Sequence, residues 1–548
     1  MITIDFSKRG KLGFCEFIYI SIKNQILGGA LLPDSKLPSK RALALNLGVS
    51  VITVQNAYAQ LISEGFIYSI EKKGFFVTDI LLGENEKSRN EKNPDSESRN
   101  FKKDDFEKAV QTKGLPENSI QKKSPAKNEI SETQKMENLD FSQNEDNDGQ
   151  IFGARRTHDN EIFADFTSNI TSAEKFPFTL WSHKMRQILS SDDPKLLQKS
   201  DVKGVLELRL TISDYLKDFR NMSVSPEQIV IGAGAENLYS ILVQFLGREK
   251  LFAVENPGFK RTKEIFELNG AKCVPLEIDS FGLSPEKLRR SGAQIAHLSP
   301  NHHFPTGIVM PVRRRMELLS WAGESKNHFI IEDDYDSEFR FNGKPLPTLQ
   351  SLSPESRIIY MNTFSKTLSP SFRIGFMVLP KSILQDFEEK MSCYSCPVSA
   401  FEQFTLARFI GEGFYEKHIN RMRNYYRNLR NSLICEMKKS GLMSLCEIQE
   451  EEAGLHFLLK IKSEKSGDEI KKSLLCRGIK IALLSDFYYS EKSENLENSK
   501  NSEDLRNSED SKSEKSKSKN PPVFVINYSG LKKEDISETV KRMCSAFE

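Results

Sequence analysis

Short apolar runs at helical spacing alternate with turns along residues 1–78. In the run FIYISIKNQILGGALL, apolar groups at helical spacing predict a helix that ends at Gly28 and Gly29. In the following run LPSKRALALNLGVSVITV, Ser39 can cap a helix over residues 40–47, and Gly48 can supply a turn. Ser50 can then cap a second helix. The pattern therefore predicts a helix-turn-helix.

A predicted hairpin follows these helices. The segment IYSIEKKGFFVT is typical of two short strands that meet at Lys72, Lys73 and Gly74. Two lysines at the tip of a hairpin form a basic wing that can reach the phosphates of a nucleic acid. The N-terminal pattern therefore favours a double-stranded DNA operator as a partner.

Composition divides the rest of the chain. Residues 79–160 are rich in Glu, Lys, Asn, Ser and Gln and have too few large apolar groups to fold, so we predict a disordered polar linker. Over residues 161–548, apolar strands alternate with amphipathic helices, which is typical of an α/β domain with a mostly parallel sheet. Residues 488–520 are again rich in Ser, Glu, Lys and Asn, so we predict a low-complexity insertion before the last strand.

Charge, hydropathy and cysteine content narrow the functional classes. The 548 residues include 78 basic and 76 acidic side chains, so DNA affinity must come from a local basic patch. Without an apolar stretch long enough for a signal peptide or a membrane span, we expect a soluble, cytoplasmic protein. The eight cysteines are scattered, which favours reduced thiols. Cys393 and Cys396 lack a second ligand pair, so we expect no metal site.

Two residues thirty-three positions apart carry the candidate chemistry of the large domain. Lys366 lies in the Ser/Thr-rich turn TFSKTLSPSFR, and Asp333 ends the apolar strand NHFIIED, where a buried carboxylate needs a cationic partner. Pyridoxal 5′-phosphate requires such groups, a lysine amine for its aldehyde and an acid for its pyridine nitrogen. Glu332 and Asp334 remain alternatives for the acid.

Further side chains could complete such a cofactor site. Tyr335 projects to the same side as Asp333 if the strand continues, so its phenol could reach the cofactor's 3′-oxygen, or it is a core tyrosine. Arg373 and the hydroxyls of Thr363 and Ser365 offer hydrogen bonds to a phosphate group.

Two more segments contribute weaker candidates. The strand-turn-helix pattern IVIGAGAENLYSIL would place the amides of Ala233, Gly234 and Ala235 at a helix N-terminus, where they can bind the same phosphate. In ENPGFKRTKEIF, Phe259 could stack on the pyridine ring, and Arg261 could meet an anionic group. Core packing or a surface ion pair would explain these two residues almost as well.

The N-terminal pattern resembles the GntR winged-helix family over residues 17–77, in the runs KLPSKRALALNLGVS, AYAQLISEGF and GFFV. The resemblance implies that the helix beginning at Ser50 enters the major groove and that basic residues near Arg41 contact the DNA backbone. Val51 stands where the family usually has a polar residue, which leaves apolar contact with a thymine methyl. An ordinary surface or core role stays open for each candidate contact. The candidate DNA-binding residues are Ser39, Lys40, Arg41, Ser50, Thr53, Gln55, Asn56, Tyr58, Lys72 and Lys73.

The large domain resembles the fold type I aminotransferases, and the fused arrangement resembles the MocR family, which includes the regulators GabR and PdxR. The motifs that carry the resemblance are SPNHHFPTG, IIEDDYDSEF, TFSKTLSPSFR and HINRMRNYYRNLR. It implies an N-terminal winged helix-turn-helix joined to an α/β, pyridoxal-phosphate-dependent aminotransferase-like domain. It also implies a homodimer, with a head-to-tail swapped and an unswapped arrangement both open.

The same resemblance assigns roles to the candidates. Lys366 is implied as the Schiff-base lysine, Asp333 as the partner of the pyridine nitrogen and Tyr335 as the contact of the 3′-oxygen. Arg373 is implied as a phosphate ligand and Phe259 as the stacking ring. The candidate effector-binding residues are Arg261 and His302.

One departure from aminotransferases bears on activity. Val525 occupies the place of the arginine that holds the substrate α-carboxylate. Losing such a charge-assisted pair costs roughly 1.5–3 kcal/mol of binding. We therefore expect a regulator responsive to pyridoxal phosphate itself, similar to PdxR, with at most residual transaminase activity. A GabR-like sensor of a carboxylated amine or amino acid, and a true aminotransferase with an appended DNA-binding domain, remain alternatives.

Overall fold

The computed structural model describes residues 4, 6–10, 12–70, 73–79, 162–168, 171–191, 193–341, 346–449, 454–489 and 521–547. All of the predicted linker except residue 79 lies outside these ranges, as does all of the predicted insertion except residues 488 and 489. Lys72 of the predicted wing also lies outside the described residues.

Three helices and a small antiparallel sheet form the N-terminal region. The Ser39 hydroxyl accepts a hydrogen bond from the Ala42 amide at 3.1 Å, and Gly48 ends that helix in the left-handed conformation at φ 64°. The Ser50 hydroxyl accepts from the Thr53 amide at 3.1 Å. The predicted helix-turn-helix and its caps are confirmed. The elements are α1 (Phe14–Leu27), α2 (Lys40–Leu47), α3 (Val51–Ser63), β1 (Lys36–Leu37), β2 (Ile67–Ile70) and β3 (Gly74–Val77), with strand order β1-β3-β2.

A seven-stranded sheet is the centre of the large domain. Its strand order is β5-β11-β10-β9-β8-β6-β7, in which β11 runs antiparallel to both neighbours and the other pairs are parallel. The predicted α/β architecture is thus confirmed. The strands are β5 (Ile229–Gly232), β6 (Leu251–Asn256), β7 (Lys272–Glu277), β8 (Ile295–Leu298), β9 (Phe329–Asp333), β10 (Ile358–Thr363) and β11 (Gly375–Val378).

Both faces of this sheet are covered, as the continuous apolar runs of its strands require. Ile229 and Ile231 belong to one apolar cluster and Val230 to another, because successive side chains of a strand point to opposite faces. The helices of this part are α4 (Phe178–Leu189), α5 (Leu206–Arg220), α6 (Ala235–Leu246), α7 (Lys260–Leu268), α8 (Pro285–Ser291), α9 (Val312–Gly323), α10 (Leu349–Leu352), α11 (Leu384–Met391) and α12 (Ala400–Gly411).

A second, antiparallel sheet lies in the C-terminal part, with strand order β12-β13-β16-β15, and β4 pairs with β14. Helices pack on it around a separate apolar cluster. None of the described helices has the length and apolar character needed to cross a membrane. The elements are β4 (Ala164–Asp165), α13 (Phe414–Lys439), β12 (Cys446–Gln449), β13 (His456–Ile461), α14 (Gly467–Cys476), β14 (Ile479–Lys480), β15 (Ala482–Leu483), β16 (Val523–Asn527) and α15 (Ile536–Phe547).

The winged helix and the large domain meet at the N-terminus of α9. The Val312 amide donates to the Glu64 carbonyl at 3.3 Å, which satisfies one of the unpaired N–H groups at the start of a helix. Val312 is also buried in the same apolar cluster as Ile18, Ile22 and Leu61 of the winged helix. This interface therefore combines apolar packing with a backbone hydrogen bond.

Candidate functional site

The exposed face of the helix-turn-helix carries most of the predicted DNA contacts. Arg41, Gln55 and Asn56 are exposed, and the Thr53 hydroxyl lies 2.8 Å from that of Ser50. Ile52 of α3 is 65% exposed. An apolar side chain of that kind can contact a thymine methyl, as expected for Val51, which is also exposed. Lys73 is exposed at the wing, and the Lys40 ammonium lies 5.4 Å from the centre of the Phe75 ring.

Tyr58 is a correction to the predicted DNA-binding set. Its side chain is fully buried, and its hydroxyl donates to the Pro38 carbonyl at 2.9 Å. Its ring also packs edge-on against Phe75, with centroids 4.9 Å apart. Tyr58 therefore holds α3 against the wing and does not face DNA.

The candidate acid of the cofactor site stands at the carboxyl end of β9. Tyr239 donates its hydroxyl hydrogen to Asp333 Oδ2 at 2.6 Å, and His297 Nε2 lies 3.6 Å from the same oxygen. In open α/β sheets, ligands bind beyond the carboxyl ends of the strands. Asp333 is thus held at the edge of the sheet where a ligand is expected.

The two neighbouring acids are committed elsewhere. Asp334 is buried and paired with Arg220, and it also accepts a hydrogen bond from the Tyr360 hydroxyl at 2.6 Å. Glu332 accepts from the backbone amides of Leu349 and Gln350 at 2.8 and 3.1 Å. Since both side chains have structural partners, Asp333 is the acid best placed to face a ligand.

Lys366 follows β10 across the same edge of the sheet. Burial lowers the pKa of its amine to about 8, although the nearby Asp336 carboxylate partly opposes that shift. A substantial neutral fraction therefore exists near neutral pH, which is the form that attacks an aldehyde. Thr363 is buried at the end of β10 and Ser365 is half-buried beside the lysine.

Two arginines converge at the N-terminus of α6. Arg373 Nη2 donates to Glu236 Oε2 at 2.6 Å, and Arg261 Nη1 donates to Glu236 Oε1 at 3.2 Å. The Arg373 guanidinium also lies 3.2 Å from the position that a Cβ on Gly234 would occupy. This geometry creates a cationic corner at a helix N-terminus, where anions are stabilised.

The amides of the preceding turn require a correction. The Ala233 amide donates to Asn237 Oδ1 at 3.0 Å, and the Gly234 amide donates to the Gly232 carbonyl at 2.9 Å. These two predicted anion donors are therefore used within the turn. Ala235 begins α6, whose first N–H groups have no partner within the helix, so its amide keeps the predicted position.

Tyr335 and His302 lie together, beside Asp336. The Tyr335 hydroxyl is 3.2 Å from His302 Nδ1, and the same nitrogen is 2.8 Å from Asp336 Oδ2. Burial and the charge of Asp336 raise the pKa of the Tyr335 phenol well above its ordinary value, so it stays protonated. Of the two predicted effector ligands, His302 therefore lies next to the Tyr335 phenol, whereas Arg261 pairs with Glu236.

Phe259 caps the N-terminus of α7 and is 52% exposed. Its ring meets Phe304 edge-on, with centroids 5.9 Å apart. The predicted stacking role of this half-exposed ring stays a prediction.

Several site residues escaped sequence reasoning because distant segments bring them in. Tyr239 is one turn into α6, and only the register of that helix aims it at Asp333. Glu236 has no distinctive sequence pattern, and the structure pairs it with both Arg261 and Arg373. His456 begins β13, far along the chain, yet its ring centroid lies 4.5 Å from that of His302.

The position predicted to correspond to the aminotransferase carboxylate clamp is apolar. Val525 is fully buried in β16, between Leu458 of β13 and Ala482 of β15. The position of Val525 offers no charged group to a ligand carboxylate.

The described residues fit pyridoxal phosphate in charge and hydrogen-bonding capacity. Lys366 supplies an amine of lowered pKa, Asp333 a carboxylate at a strand end and Tyr335 a protonated phenol. The cationic corner of Arg373 and Arg261 suits a phosphate group.

A chain of hydrogen bonds joins this region to the winged-helix interface. Arg315 of α9 is buried and donates from Nη1 to Asn301 Oδ1 at 2.9 Å. Asn301 Nδ2 in turn donates to Asp334 Oδ1 at 2.9 Å. The helix that receives the winged helix is therefore fixed to the residue next to Asp333.

Comparison with known proteins agrees with both parts of this architecture. Residues 162–493 match the family Aminotransferase class I and II, and residues 14–77 match the family Bacterial regulatory proteins, gntR family. A kynurenine aminotransferase from Pyrococcus horikoshii, solved in complex with PMP, shares the fold with a TM-score of 0.57 and 21% identity. The match covers 71% of this chain and 91% of that one.

One curated relative matches nearly the whole chain, and another matches about half of it. The chain is 31% identical to the HTH-type transcriptional regulator YdeL of Bacillus subtilis, over 97% of this chain and 96% of that protein. It is 30% identical to the pyridoxine biosynthesis transcriptional regulator PdxR of Corynebacterium glutamicum, over 54% of this chain and 64% of that protein. The chain therefore belongs to the MocR family, HTH-type transcriptional regulators in which a GntR-type DNA-binding winged helix is fused to an aminotransferase-like domain of fold type I.

Proposed function

We propose that this regulator senses pyridoxal phosphate itself and controls vitamin B6 supply. The PdxR relative is named as a regulator of pyridoxine biosynthesis. The observation that carries the proposal is the lowered pKa of Lys366 in a site whose carboxylate-clamp position is the buried Val525. Bound pyridoxal phosphate supplies an aldehyde that a lysine amine can capture. A site that captures the aldehyde but holds amino acids weakly suits a sensor better than a transaminase.

The interface at α9 supports a route from the pocket to the DNA-binding domain. Arg315 links that helix to Asn301, and Asn301 links it to Asp334, next to the proposed cofactor partner Asp333. A ligand changes a conformational equilibrium only through contacts that differ between two states. We propose that binding at Asp333 and Lys366 alters this network and with it the placement of the winged helix.

Binding of paired operator half-sites would require a homodimer. Two winged helices in one assembly increase affinity through effective concentration. We propose a homodimer and leave the swapped and unswapped arrangements to measurement by size-exclusion chromatography with light scattering and cross-domain crosslinking.

A gel shift tests the sensor directly. The full-length protein is titrated against the DNA upstream of its own gene, with and without pyridoxal phosphate. We expect the cofactor to change the operator affinity of the wild type and to leave that of Lys366→Ala unchanged. Equal affinities with and without the cofactor, in a wild-type sample that carries the visible absorbance of bound pyridoxal phosphate, would overturn the proposal.

Val312→Asp tests the proposed route. A carboxylate buried in an apolar cluster without a partner is strongly disfavoured, so the winged helix should leave α9. We expect the variant to keep its visible absorbance and lose the cofactor dependence of operator binding. The matched control is Val378→Ala, a buried valine of the central sheet outside this interface, which should keep the cofactor dependence.

A GabR-like sensor of a carboxylated amine is the second candidate, and Arg261 favours it. The Arg261 side chain is 64% exposed and pairs with Glu236 at the surface, so a ligand carboxylate could displace that partner. Adding single amino acids to the cofactor-loaded protein distinguishes the candidates. A change in operator affinity with one amino acid supports this reading, and rapid, repeated loss of the visible band would indicate transamination.

A further inference from the structure

Three buried side chains with metal-ligand chemistry meet beside the candidate cofactor site. His302 lies in the loop after β8, Asp336 follows β9, and His456 begins β13. One ligand atom from each lies within 4.8 Å of those of the other two. Their exposed fractions are 4%, 3% and 1%, so all three groups are removed from bulk water.

The imidazoles of this His-His-Asp cluster have unmet hydrogen-bonding capacity. Within the described part of the chain, neither ring nitrogen of His456 has a hydrogen-bond partner, and neither does Nε2 of His302. A buried polar group left without a partner costs about 1–3 kcal/mol. A small cavity of about 10 Å³, lined by His302, Asp336 and Gly454 among others, adjoins the cluster. That volume suits one water-sized occupant.

We propose that the cluster of His302, Asp336 and His456 binds a divalent transition metal ion of the Zn²⁺ class. Two imidazoles and one carboxylate form a ligand set that such ions use when a further coordination position stays open. The hydrogen bond between His302 Nδ1 and Asp336 Oδ2 brings two of the three ligands to 2.8 Å already. In a zinc site each of the three ligand atoms would lie roughly 2.0–2.2 Å from the ion.

The surroundings of His456 favour a ligand role. Its imidazole is 1% exposed and packs against the rings of His302 and Phe304, with centroids 4.5 and 5.2 Å away. The Pro305 carbonyl lies near the ring without meeting hydrogen-bond geometry. Lys366 is the charge that weighs against a cation here, and Asp336 is the anion that offsets it.

The position of the cluster bears on Tyr335. Its hydroxyl lies 3.2 Å from His302 Nδ1, so an ion bound through that nitrogen would take the place of this hydrogen bond. The proposed metal site does not depend on the proposed cofactor response.

Metal titration of the full-length protein tests the site. The protein is treated with a chelator, desalted and titrated with Co²⁺, whose visible bands report coordination, followed by competition with Zn²⁺. We expect a single equivalent in the wild type and at least a ~100-fold loss of affinity in His456→Phe and in Asp336→Asn. His183→Phe, at an exposed histidine outside the cluster, should bind like the wild type.

Two readouts keep the result interpretable if one variant folds poorly. Circular dichroism checks each variant, and Zn²⁺ should raise the melting temperature of the wild type and not that of Asp336→Asn. Equal metal binding by the wild type and both cluster variants would overturn the proposal, as would no binding by the wild type. The visible band of bound pyridoxal phosphate, recorded on the same samples, separates this result from failure of the sensor.

Discussion

The DNA-facing surface and the ligand pocket use charged groups in opposite surroundings. On the winged helix, Arg41 and Lys73 are exposed, and water and salt screen them. In the pocket, Arg220 forms an ion pair with Asp334, and each of these two side chains is 1% exposed. A charge on the first surface can be lost with little effect on folding, whereas a charge in the second cannot lose its partner without a large desolvation penalty.

This contrast assigns different tasks to the two regions. Screened charges supply affinity for a polyanion that depends on salt and only weakly on sequence. Buried ionisable groups have shifted pKa values, as for Lys366, and shifted values are typical of sites that do chemistry.

Removal of the Lys366 amine should have the largest effect. We expect Lys366→Ala to abolish the visible absorbance that pyridoxal phosphate gives when it is attached to the protein, because the variant lacks the amine that captures the aldehyde. Basal operator binding should be retained. Absorbance spectra measure the effect, with Lys381→Ala, an exposed lysine paired with Glu355, as the control. A persistent band in Lys366→Ala would remove the site assignment.

Loss of a buried partner should have the next largest effect. Arg220→Met leaves Asp334 charged and buried, and we expect a cost of about 3–5 kcal/mol in the free energy of unfolding. The matched control is Arg289→Met, which breaks a surface pair with Glu324 and should cost less than about 1 kcal/mol. Urea unfolding followed by fluorescence compares the two variants. Similar losses in both would contradict the contrast between buried and exposed pairs.

Local sequence rules predicted the winged helix well because its determinants are local. Caps at Ser39 and Ser50 and the left-handed Gly48 depend on neighbours within a few residues, and all three are found. The failure at Tyr58 has a tertiary cause, since the ring is buried by the wing and by Pro38. Helical spacing alone cannot distinguish the groove-facing side of a helix from the side that a later hairpin covers.

In the pocket, the sequence predicted residues at strand ends and missed partners from other segments. The end of an apolar strand marked Asp333, and the turn after another marked Lys366. The amides of Ala233 and Gly234 were misassigned because the turn folds back on itself and uses them. His302 and Asp336 follow neighbouring parallel strands of the central sheet, whereas His456 begins a strand of the second sheet, and no local pattern predicts its approach.

The pH dependence of cofactor attachment tests the burial of Lys366. Its pKa is lowered from 10.5 to about 8, so the amine is protonated below that value and neutral above it. Only the neutral amine attacks an aldehyde, so the attachment rate should rise about tenfold per pH unit below the pKa and level off above it. Stopped-flow absorbance measures the rate. A rate that still rises steeply toward the ordinary lysine value would show that the amine is not desolvated.

The smallest expected effect is on the exposed surface. Arg41→Ala removes one cation near the recognition helix, and we expect operator affinity to fall by roughly threefold to tenfold with a salt slope smaller by about one. Fluorescence anisotropy at several salt concentrations measures both quantities, and Lys381→Ala is again the control. Because a backbone contact carries no base information, the loss should be similar for specific and unrelated DNA. A loss confined to the specific operator would instead show that Arg41 contacts bases. The exposed cations of the winged helix would then contribute part of the specificity that Ile52, Gln55 and Asn56 are expected to supply.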